Sequence, residues 1–141
     1  MGLQLQVKTF KPAAASTTSV AAAQTLGGAG DMTLAGTAAT FNGTNTAALV
    51  TLTSTGNISG VTFTVTGTDI NGDSQSEAVT GPNNETVFSS KFFLTVTQIA
   101  ASGAVGTNTS AGNAQHAVGA IFSGATRVKG AQITTGGTVE D

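Results

Sequence analysis

The sequence contains no cysteine, tryptophan or tyrosine, and only five of its 141 residues are lysine or arginine. Without cysteine the chain has neither a disulfide framework nor thiolate chemistry. The five basic residues are scattered along the chain, whereas neutralising the phosphates of a nucleic acid takes a clustered basic surface. No apolar run approaches the roughly 20 residues needed to span a bilayer, and the N-terminus lacks the apolar core of a secretory signal. We therefore expect no nucleic-acid partner, no membrane partner and no N-terminal export signal.

The residues that are abundant are typical of short β-strands and turns. Thr occurs 26 times and Gly 19 times, whereas Pro occurs only twice. Thr is β-branched and suits a half-exposed sheet face, while Gly and Asn favour turns. Val, Ile, Leu and Phe together number only 31, so the core must be thin, and we expect neighbouring copies to add to its stability. Because the good helix formers are scarce, the composition predicts an all-β protein.

The first 25 residues differ from the rest of the chain. Apolar and polar residues alternate at residues 3–7, as they do in a β-strand, and a small-residue stretch follows at residues 12–23. This N-terminal segment is either an extended arm that docks onto another subunit, a linker, or an edge strand of the chain's own domain. We divide the chain into this arm or edge strand, residues 1–25, and a β-sandwich domain, residues 26–141.

The clearest strand pattern lies at residues 61–66, where apolar residues and threonines alternate strictly. The three apolar side chains share one face of such a strand and the three threonines share the other, which is the pattern of a half-buried strand. The dipeptide Asn71-Gly72 follows and is the strongest short-range hairpin signal in the chain. It predicts a partner strand at residues 74–80.

The length of the loop decides the register of this hairpin. A two-residue turn sets Val65 opposite Ala78, whereas a three-residue loop sets Phe63 opposite Val79. We predict the three-residue loop, with Gly72 in a left-handed bulge. The reason is that Val79 is the only large apolar residue of the second strand.

Further strands are predicted on both sides of the hairpin. Residues 48–53 form one strand, and the apolar stretch at 86–99 forms two, with a bend near residues 89–90. The stretch at 100–112 is small and polar and is predicted to be turn-like, while residues 116–140 carry apolar side chains at strand spacing. Seven or eight short strands with regular turns predict an antiparallel sandwich or a small barrel.

The candidate catalytic and metal-binding residues have simpler interpretations. His116 is the only imidazole and has no acid near it in the sequence, so a nucleophile–base pair is not indicated. Oxygen-bearing side chains at Asp69, Asn71 and Asp73 resemble the start of a calcium loop. That loop also requires a glycine at its sixth position and a bidentate acid at its twelfth, and neither is present here. Hairpin chemistry explains all three residues.

The remaining candidates are equally weak. Glu77 and Glu85 are too isolated for a glycosidase carboxylate pair, and the glycine clusters at 27–30 and 136–137 match neither the dinucleotide nor the phosphate-loop pattern. Asn-x-Ser/Thr matches are expected by chance in so Thr-rich a chain; they occur at Asn42, Asn57, Asn84 and Asn108. We predict no catalytic, cofactor-binding or metal-binding residue, and a protein that is not an enzyme.

Residues 55–82, TGNISGVTFTVTGTDINGDSQSEAVTGP, resemble a module of small structural proteins from tailed bacteriophages. The stretch KFFLTVTQI at 91–99 fits the same pattern, as do AAAQTLGGAG at 21–30 and MTL at 32–34, so the resemblance covers residues 20–112. It implies an immunoglobulin-like or jelly-roll β-sandwich. No functional residue can be carried over, because the pattern contains no catalytic or ligand-binding position.

The resemblance further implies a head decoration or cement protein on the outer surface of the capsid, made in the host cytoplasm. Its expected partners are the major capsid protein and further copies of itself, with a homotrimer favoured. The alternative is a tail, neck or head-fibre component of the same particle. A carbohydrate-binding adhesin is less favoured, because the chain has no Trp or Tyr to stack on sugars. The expected fold is thus an all-β, small antiparallel sandwich with an extended N-terminal arm.

Overall fold

The structure, a computed structural model, describes residues 9–35 and 43–119. The features predicted at residues 3–7, at Asn42 and beyond residue 119 lie outside these ranges. Within them the chain forms ten β-strands and no helix. In chain order the strands are β1 (Lys11–Pro12), β2 (Ser16–Leu26), β3 (Gly30–Asp31), β4 (Gly43–Thr44), β5 (Thr46–Ser54), β6 (Thr62–Thr68), β7 (Ser74–Thr80), β8 (Thr86–Phe93), β9 (Thr95–Ala101) and β10 (Val105–Gly119).

Eight of these strands form two four-stranded antiparallel sheets, while β1 and β4 form a separate short pair. The first sheet has the order β2-β10-β5-β8, and the second has the order β3-β9-β6-β7. The pairing is nested in the chain: β6 pairs with β7, β5 with β8, β3 with β9 and β2 with β10. One long hairpin folded over itself in this way gives the two Greek keys of a jelly roll. The predicted all-β sandwich is confirmed, and its strand order is that of the jelly roll.

The core lies between the two sheets and is built from their inward-facing residues. In β6, Phe63 and Val65 are fully buried while Thr62 and Thr64 are exposed, as the alternation predicts. The first sheet contributes side chains such as Leu52 to the same cluster. Of the five described phenylalanines only Phe63 and Phe93 are fully buried, so smaller aliphatic side chains make up most of the core.

The β6–β7 hairpin has the predicted register, with Phe63 opposite Val79. The N–H of Asp69 donates to the carbonyl of Asp73 at 2.8 Å, which closes a three-residue loop. Gly72 in this loop has a φ of 89°, a left-handed conformation that glycine adopts without a steric cost. The three-residue loop is therefore confirmed.

The stretch at 86–99 forms two strands as predicted, but they divide at Leu94 and not at residues 89–90. At 89–91 the strand β8 bulges and then continues. The Ser89 hydroxyl explains why the strand does not end there: it accepts a hydrogen bond from the Val50 N–H at 2.9 Å and donates to the Lys91 carbonyl at 2.8 Å. The side chain supplies a partner for the β5 backbone where the ladder is interrupted.

The prediction that residues 100–112 are turn-like is wrong. Only a short turn follows β9, and β10 begins at Val105 and runs between β2 and β5 in the first sheet. The small residues serve close packing: a Cβ at Gly112 would overlap the carbonyl oxygen of Ser16. A glycine in a strand interior often marks such a close backbone approach.

The stretch before residue 26 belongs in part to the sandwich. β2 pairs antiparallel with β10 and forms an edge of the first sheet, and its Val20 and Ala21 lie in the core. Residues 16–25 match one of the alternatives given for the N-terminal segment, an edge strand of the chain's own domain. β2 then continues to Leu26, across the position at which we divided the arm from the sandwich.

Candidate functional site

The structure disperses the candidate residues named from the sequence. His116 is exposed near the end of β10, and Glu85 is exposed in the connection between β7 and β8. In residues 9–35 and 43–119, no three His, Asp or Glu side chains come together in a group that could hold a metal ion. The glycines at 27–30 lie in the turn from β2 to β3 and at the start of β3.

Asp69 shapes the loop of the β6–β7 hairpin. Its Oδ1 atom accepts hydrogen bonds from the backbone N–H groups of Asn71, at 2.8 Å, and Asp73, at 3.0 Å. A carboxylate that bonds the backbone two residues ahead is a common turn device. The hairpin interpretation of these residues therefore accounts for the observed contacts of the Asp69 carboxylate.

Glu77 has a structural role that the sequence did not indicate. Its two carboxylate oxygens accept hydrogen bonds from the backbone N–H groups of Ser90, at 2.7 Å, and Lys91, at 2.8 Å. The Lys91 ammonium in turn donates to the Ser76 carbonyl at 2.8 Å. We call these contacts the Glu77 clamp. They tie β7, an edge of the second sheet, to β8, an edge of the first, and so close one side of the sandwich.

A groove that the sequence did not indicate lies on the first sheet. Its volume is about 680 Å³, within the range of roughly 300–1,000 Å³ typical of ligand pockets. Residues 15–17 form one part of its lining and residues 113–116 of β10 another. Thr86 and Phe88 of β8 complete the lining, together with Thr51 of β5.

The strand registers place the groove on the outer face of the sheet. Val50 and Leu52 of β5 face the core, so Thr51 between them faces outward. Thr51 pairs with Phe88 on one side and with Gly112 on the other. Because directly opposed residues of an antiparallel pair project to the same face, the side chains of Thr51 and Phe88 lie next to each other in the groove.

The two strands that pair with β5, which are β8 and β10, each contain a bulge opposite the middle of β5. In β8, three residues lie between Phe88 and Phe92 where β5 has one. In β10, three residues lie between Asn113 and Ala117 where β5 again has one. Bulges bend a strand and increase its local twist. The two bulges flank a regular central strand, and the groove has this strand at its floor.

Asn113 holds the N-terminal part of the groove in place. Its side chain is 2% exposed, and its Nδ2 atom donates to the Ala14 carbonyl at 3.0 Å. Its Oδ1 atom accepts a hydrogen bond from the Ser19 hydroxyl at 2.7 Å. These bonds fix residues 14–19 against β10, although Ser19 and Asn113 are 94 positions apart in the chain.

Thr51 at the floor of the groove is only 4% exposed, and its hydroxyl has no hydrogen-bond partner among the residues that the structure describes. In the described part of the chain, the Thr51 hydroxyl oxygen is the only buried side-chain nitrogen or oxygen atom that lacks a hydrogen-bond partner. In the neighbouring pair of Thr53 and Thr86, the two hydroxyl groups are hydrogen-bonded to each other, with their oxygen atoms 2.8 Å apart. An unsatisfied buried hydroxyl costs about 1–3 kcal/mol. The outer face of this sheet therefore carries a polar group without a partner from the described residues.

Phe88 supplies the apolar part of the groove. It is 53% exposed, the highest value among the exposed large apolar side chains of the described residues. The other described residues of the lining contribute hydroxyl groups, amides and the His116 imidazole, and none of them is Asp, Glu, Lys or Arg. Such a surface can bind an uncharged ligand that offers both hydrogen-bonding groups and an apolar face.

None of the described residues forms a helix long and apolar enough to cross a membrane. Comparison of the chain with protein-family models, with curated proteins and with solved structures finds no match.

Proposed function

We propose that the protein is a non-enzymatic structural component of a tailed-bacteriophage particle, a head decoration or cement protein that binds and stabilises the shell of the major capsid protein. The observation that carries this proposal is the edge strand β2. It is 11 residues long, STTSVAAAQTL, and contains neither a charged residue nor a proline. Monomeric proteins commonly protect their edge strands with charge, proline or a covering segment.

The two sides of the sandwich differ in this protection. On one side the Glu77 clamp ties the edges β7 and β8 together. On the other side, among the described residues, the Ala35 N–H donates to the Val20 carbonyl at 2.7 Å in the middle of β2, and the Gln24 side chain bonds the backbone of Thr33 near the end of the strand. Thr17 and Thr18 remain exposed in the first half of the strand. This half of β2 is the element that we assign to contacts with the capsid or with further copies of the chain.

The composition supports assembly through many weak contacts. Only 9% of the residues are charged, so little electrostatic repulsion opposes close packing of copies on a lattice. Contacts that are individually weak give strong overall binding when lattice symmetry repeats them. The resemblance of residues 20–112 to phage structural modules is the reason for proposing a bacteriophage particle. We propose a homotrimer on the outer capsid surface, and a tail, neck or head-fibre component is the alternative.

Two measurements test this proposal. Cryo-electron microscopy of the phage whose genome encodes the chain is expected to show it at fixed lattice positions on the head; density in the tail, neck or fibres would instead support the alternative. Purified protein is expected to form an oligomer and to cosediment with heads that lack it. A monomer without affinity for heads would contradict both forms of the proposal.

A matched pair of variants tests the role of β2. Thr18→Lys places a charge on the exposed half of the strand and is expected to reduce binding to heads. Thr64→Lys places the same charge on the exposed face of β6 in the second sheet and is expected to leave binding unchanged. Equal losses for the two variants would rule out β2 as the contact element.

A further inference from the structure

We propose that Asn71 is a site of spontaneous covalent modification, at which the side-chain amide is converted to aspartate and isoaspartate. The reaction passes through a succinimide ring formed with the backbone nitrogen of Gly72, and its only co-reactant is water. This inference goes beyond the proposed role in a phage particle and does not depend on it. It rests on the glycine that follows Asn71, on the exposure of the hairpin loop and on the hydrogen bonds within that loop.

The residue after Asn71 favours ring closure. The backbone nitrogen of the following residue must approach the asparagine Cγ atom, and a side chain on that residue hinders the approach, whereas glycine has none. The structure describes seven asparagines, and Asn71 is the only one of them that glycine follows. No atom of the described residues lies within 4 Å of a Cβ added at Gly72, so the space beside the attacking nitrogen is open. Among the described asparagines, Asn71 therefore meets the least steric resistance to ring closure.

The Asn71 side chain is also able to turn toward that nitrogen. It is exposed, and its amide makes no hydrogen bond to a described residue; only its backbone N–H is bonded, to Asp69 Oδ1 at 2.8 Å. Two other asparagines are restrained. The Asn57 Oδ1 atom accepts hydrogen bonds from the N–H and the hydroxyl of Ser59, at 3.1 and 2.8 Å. Asn113 is buried and is hydrogen-bonded at both its side-chain nitrogen and its side-chain oxygen. These two side chains would lose hydrogen bonds on rotating, and Asn71 would not.

One contact in the loop opposes the reaction. The Gly72 N–H donates to the Asp69 carbonyl at 3.0 Å, and this bond must open before the nitrogen can lose its proton. The loop lies at the exposed end of the hairpin, so it can open locally while Thr68 and Ser74 remain paired. The net effect of one hydrogen bond is about two- to tenfold in an equilibrium constant. The folded loop is therefore expected to react about two- to tenfold more slowly than the unfolded chain.

The reaction proceeds in two steps, and no group is oxidised or reduced. In the first step the Gly72 nitrogen loses its proton to solvent and attacks the Asn71 Cγ atom. The new C–N bond closes the ring, the bond from Cγ to Nδ2 breaks, and Nδ2 leaves as ammonia after taking up a proton. In the second step water adds to one of the two ring carbonyls and breaks its bond to the Gly72 nitrogen. Cleavage at Cγ gives aspartate, whereas cleavage at the backbone carbonyl gives isoaspartate, in which the main chain runs through Cγ.

Both products alter the hairpin loop. Aspartate at position 71 adds a third carboxylate to a loop that already carries Asp69 and Asp73, and like charges repel one another. Isoaspartate adds one atom to the main chain of the three-residue loop that aligns Phe63 with Val79. We expect the isoaspartate form to have a lower melting temperature than the unmodified protein, because the loop no longer has the length that this register requires.

Incubation of the full-length protein at physiological temperature, followed by protease digestion and tandem mass spectrometry, tests the proposal. Asn71 is expected to lose its amide with time, and faster as the pH rises, because the Gly72 nitrogen must lose a proton. Labelling by a protein isoaspartate methyltransferase distinguishes isoaspartate from aspartate. The other six described asparagines are expected to stay intact over the same period. A second Asn-Gly pair occupies residues 42–43, and the digestion assigns conversion to each pair separately.

Variants separate the effect of the glycine from the effect of the loop. Gly72→Ala places a methyl group beside the attacking nitrogen and is expected to slow the loss at Asn71 severalfold, in the folded protein and in urea alike. Gly60→Ala, which also has open space around the added Cβ, is the control and is expected to leave the rate unchanged. Asn71→Gln is expected to abolish amide loss at this position, because the longer side chain would have to close a larger ring.

Several results would overturn the proposal. Asn71 that stays intact in the folded protein while it converts fully in urea would do so, because the loop would then prevent ring closure. Conversion of Asn57 or Asn84 at the same rate would show that the following glycine does not matter. Conversion to aspartate without isoaspartate would show direct hydrolysis of the amide and would contradict the succinimide. Amide spectra with the dispersion of the wild type establish in each case that the variant is folded.

Discussion

Thr51 and Phe88 are directly paired across β5 and β8, so a buried hydroxyl without a partner in the described part of the chain lies beside a ring that is 53% exposed. Each residue is unfavourable by itself, because one leaves a polar atom unsatisfied and the other leaves an aromatic ring in water. Their adjacency on the outer face of a sheet is the feature that distinguishes this face from the rest of the described surface.

Thr51→Val is expected to raise the free energy of unfolding by about 1 kcal/mol, because a methyl group replaces a hydroxyl that is buried without a hydrogen bond. Thr53→Val is the matched control, two residues along the same strand. It removes a hydroxyl that lies 2.8 Å from that of Thr86 and is expected to lower stability by about 1 kcal/mol. Urea denaturation of the two variants measures the signs. Destabilisation of similar size in both would show that the Thr51 hydroxyl is satisfied in solution.

Gly112→Ala is expected to destabilise the protein by about 1–3 kcal/mol, the usual cost of overpacking. The added Cβ would overlap the Ser16 carbonyl oxygen, so the start of β2 must move away from β10. Gly106→Ala in the same strand is the control, since no atom of the described residues lies within 4 Å of its added Cβ. Thermal unfolding of both variants checks this; equal melting temperatures would contradict the close approach of β2 to β10.

Glu77→Gln is expected to lower stability by about 1 kcal/mol. A carboxylate accepts from the N–H groups of Ser90 and Lys91 together, whereas an amide offers one acceptor and turns a donor toward the second N–H. Faster hydrogen exchange at these two amides, measured by NMR, is the specific readout. Glu85→Gln, at an exposed carboxylate outside the clamp, is expected to change neither stability nor exchange.

The parts of the fold that could be predicted from the sequence are those whose determinants are local. Strict alternation marks β6, and Asn71-Gly72 with the single large apolar residue Val79 determines the hairpin register. A strand whose determinants lie far away in the chain, such as β10, could not be recognised from its own residues. Gly112 is small because the backbone of Ser16 passes over it, so the small residues of β10 resemble a turn when they are read alone.

The groove could not be predicted for a similar reason. Thr51 is one of 26 threonines, and nothing near it in the sequence marks its hydroxyl as buried without a partner. Its position beside Phe88 depends on the register of β5 with β8, which in turn depends on the bulge at 89–91. The Ser89-Ser90 dipeptide indicated an irregularity in the sequence. The hydrogen bond from Val50 to the Ser89 hydroxyl, which turns this irregularity into a bulge, is a contact between residues 39 positions apart.

Substitutions at Gly72 separate the contribution of backbone conformation to stability from the contribution of packing. No atom of the described residues lies within 4 Å of a Cβ added at Gly72, so we attribute the cost of Gly72→Ala to the left-handed φ of 89°. We expect Gly72→Ala to cost about 1–2 kcal/mol and Gly72→Asn to cost less, because Asn adopts this conformation more readily. The control is Gly60→Ala, which also has open space around the added Cβ, lacks a positive φ and is expected to be nearly neutral. Denaturation measurements give the order of the three. If Gly72→Ala were as neutral as Gly60→Ala, the hairpin would close through a different loop, and the pairing of Phe63 with Val79 would have to change with it.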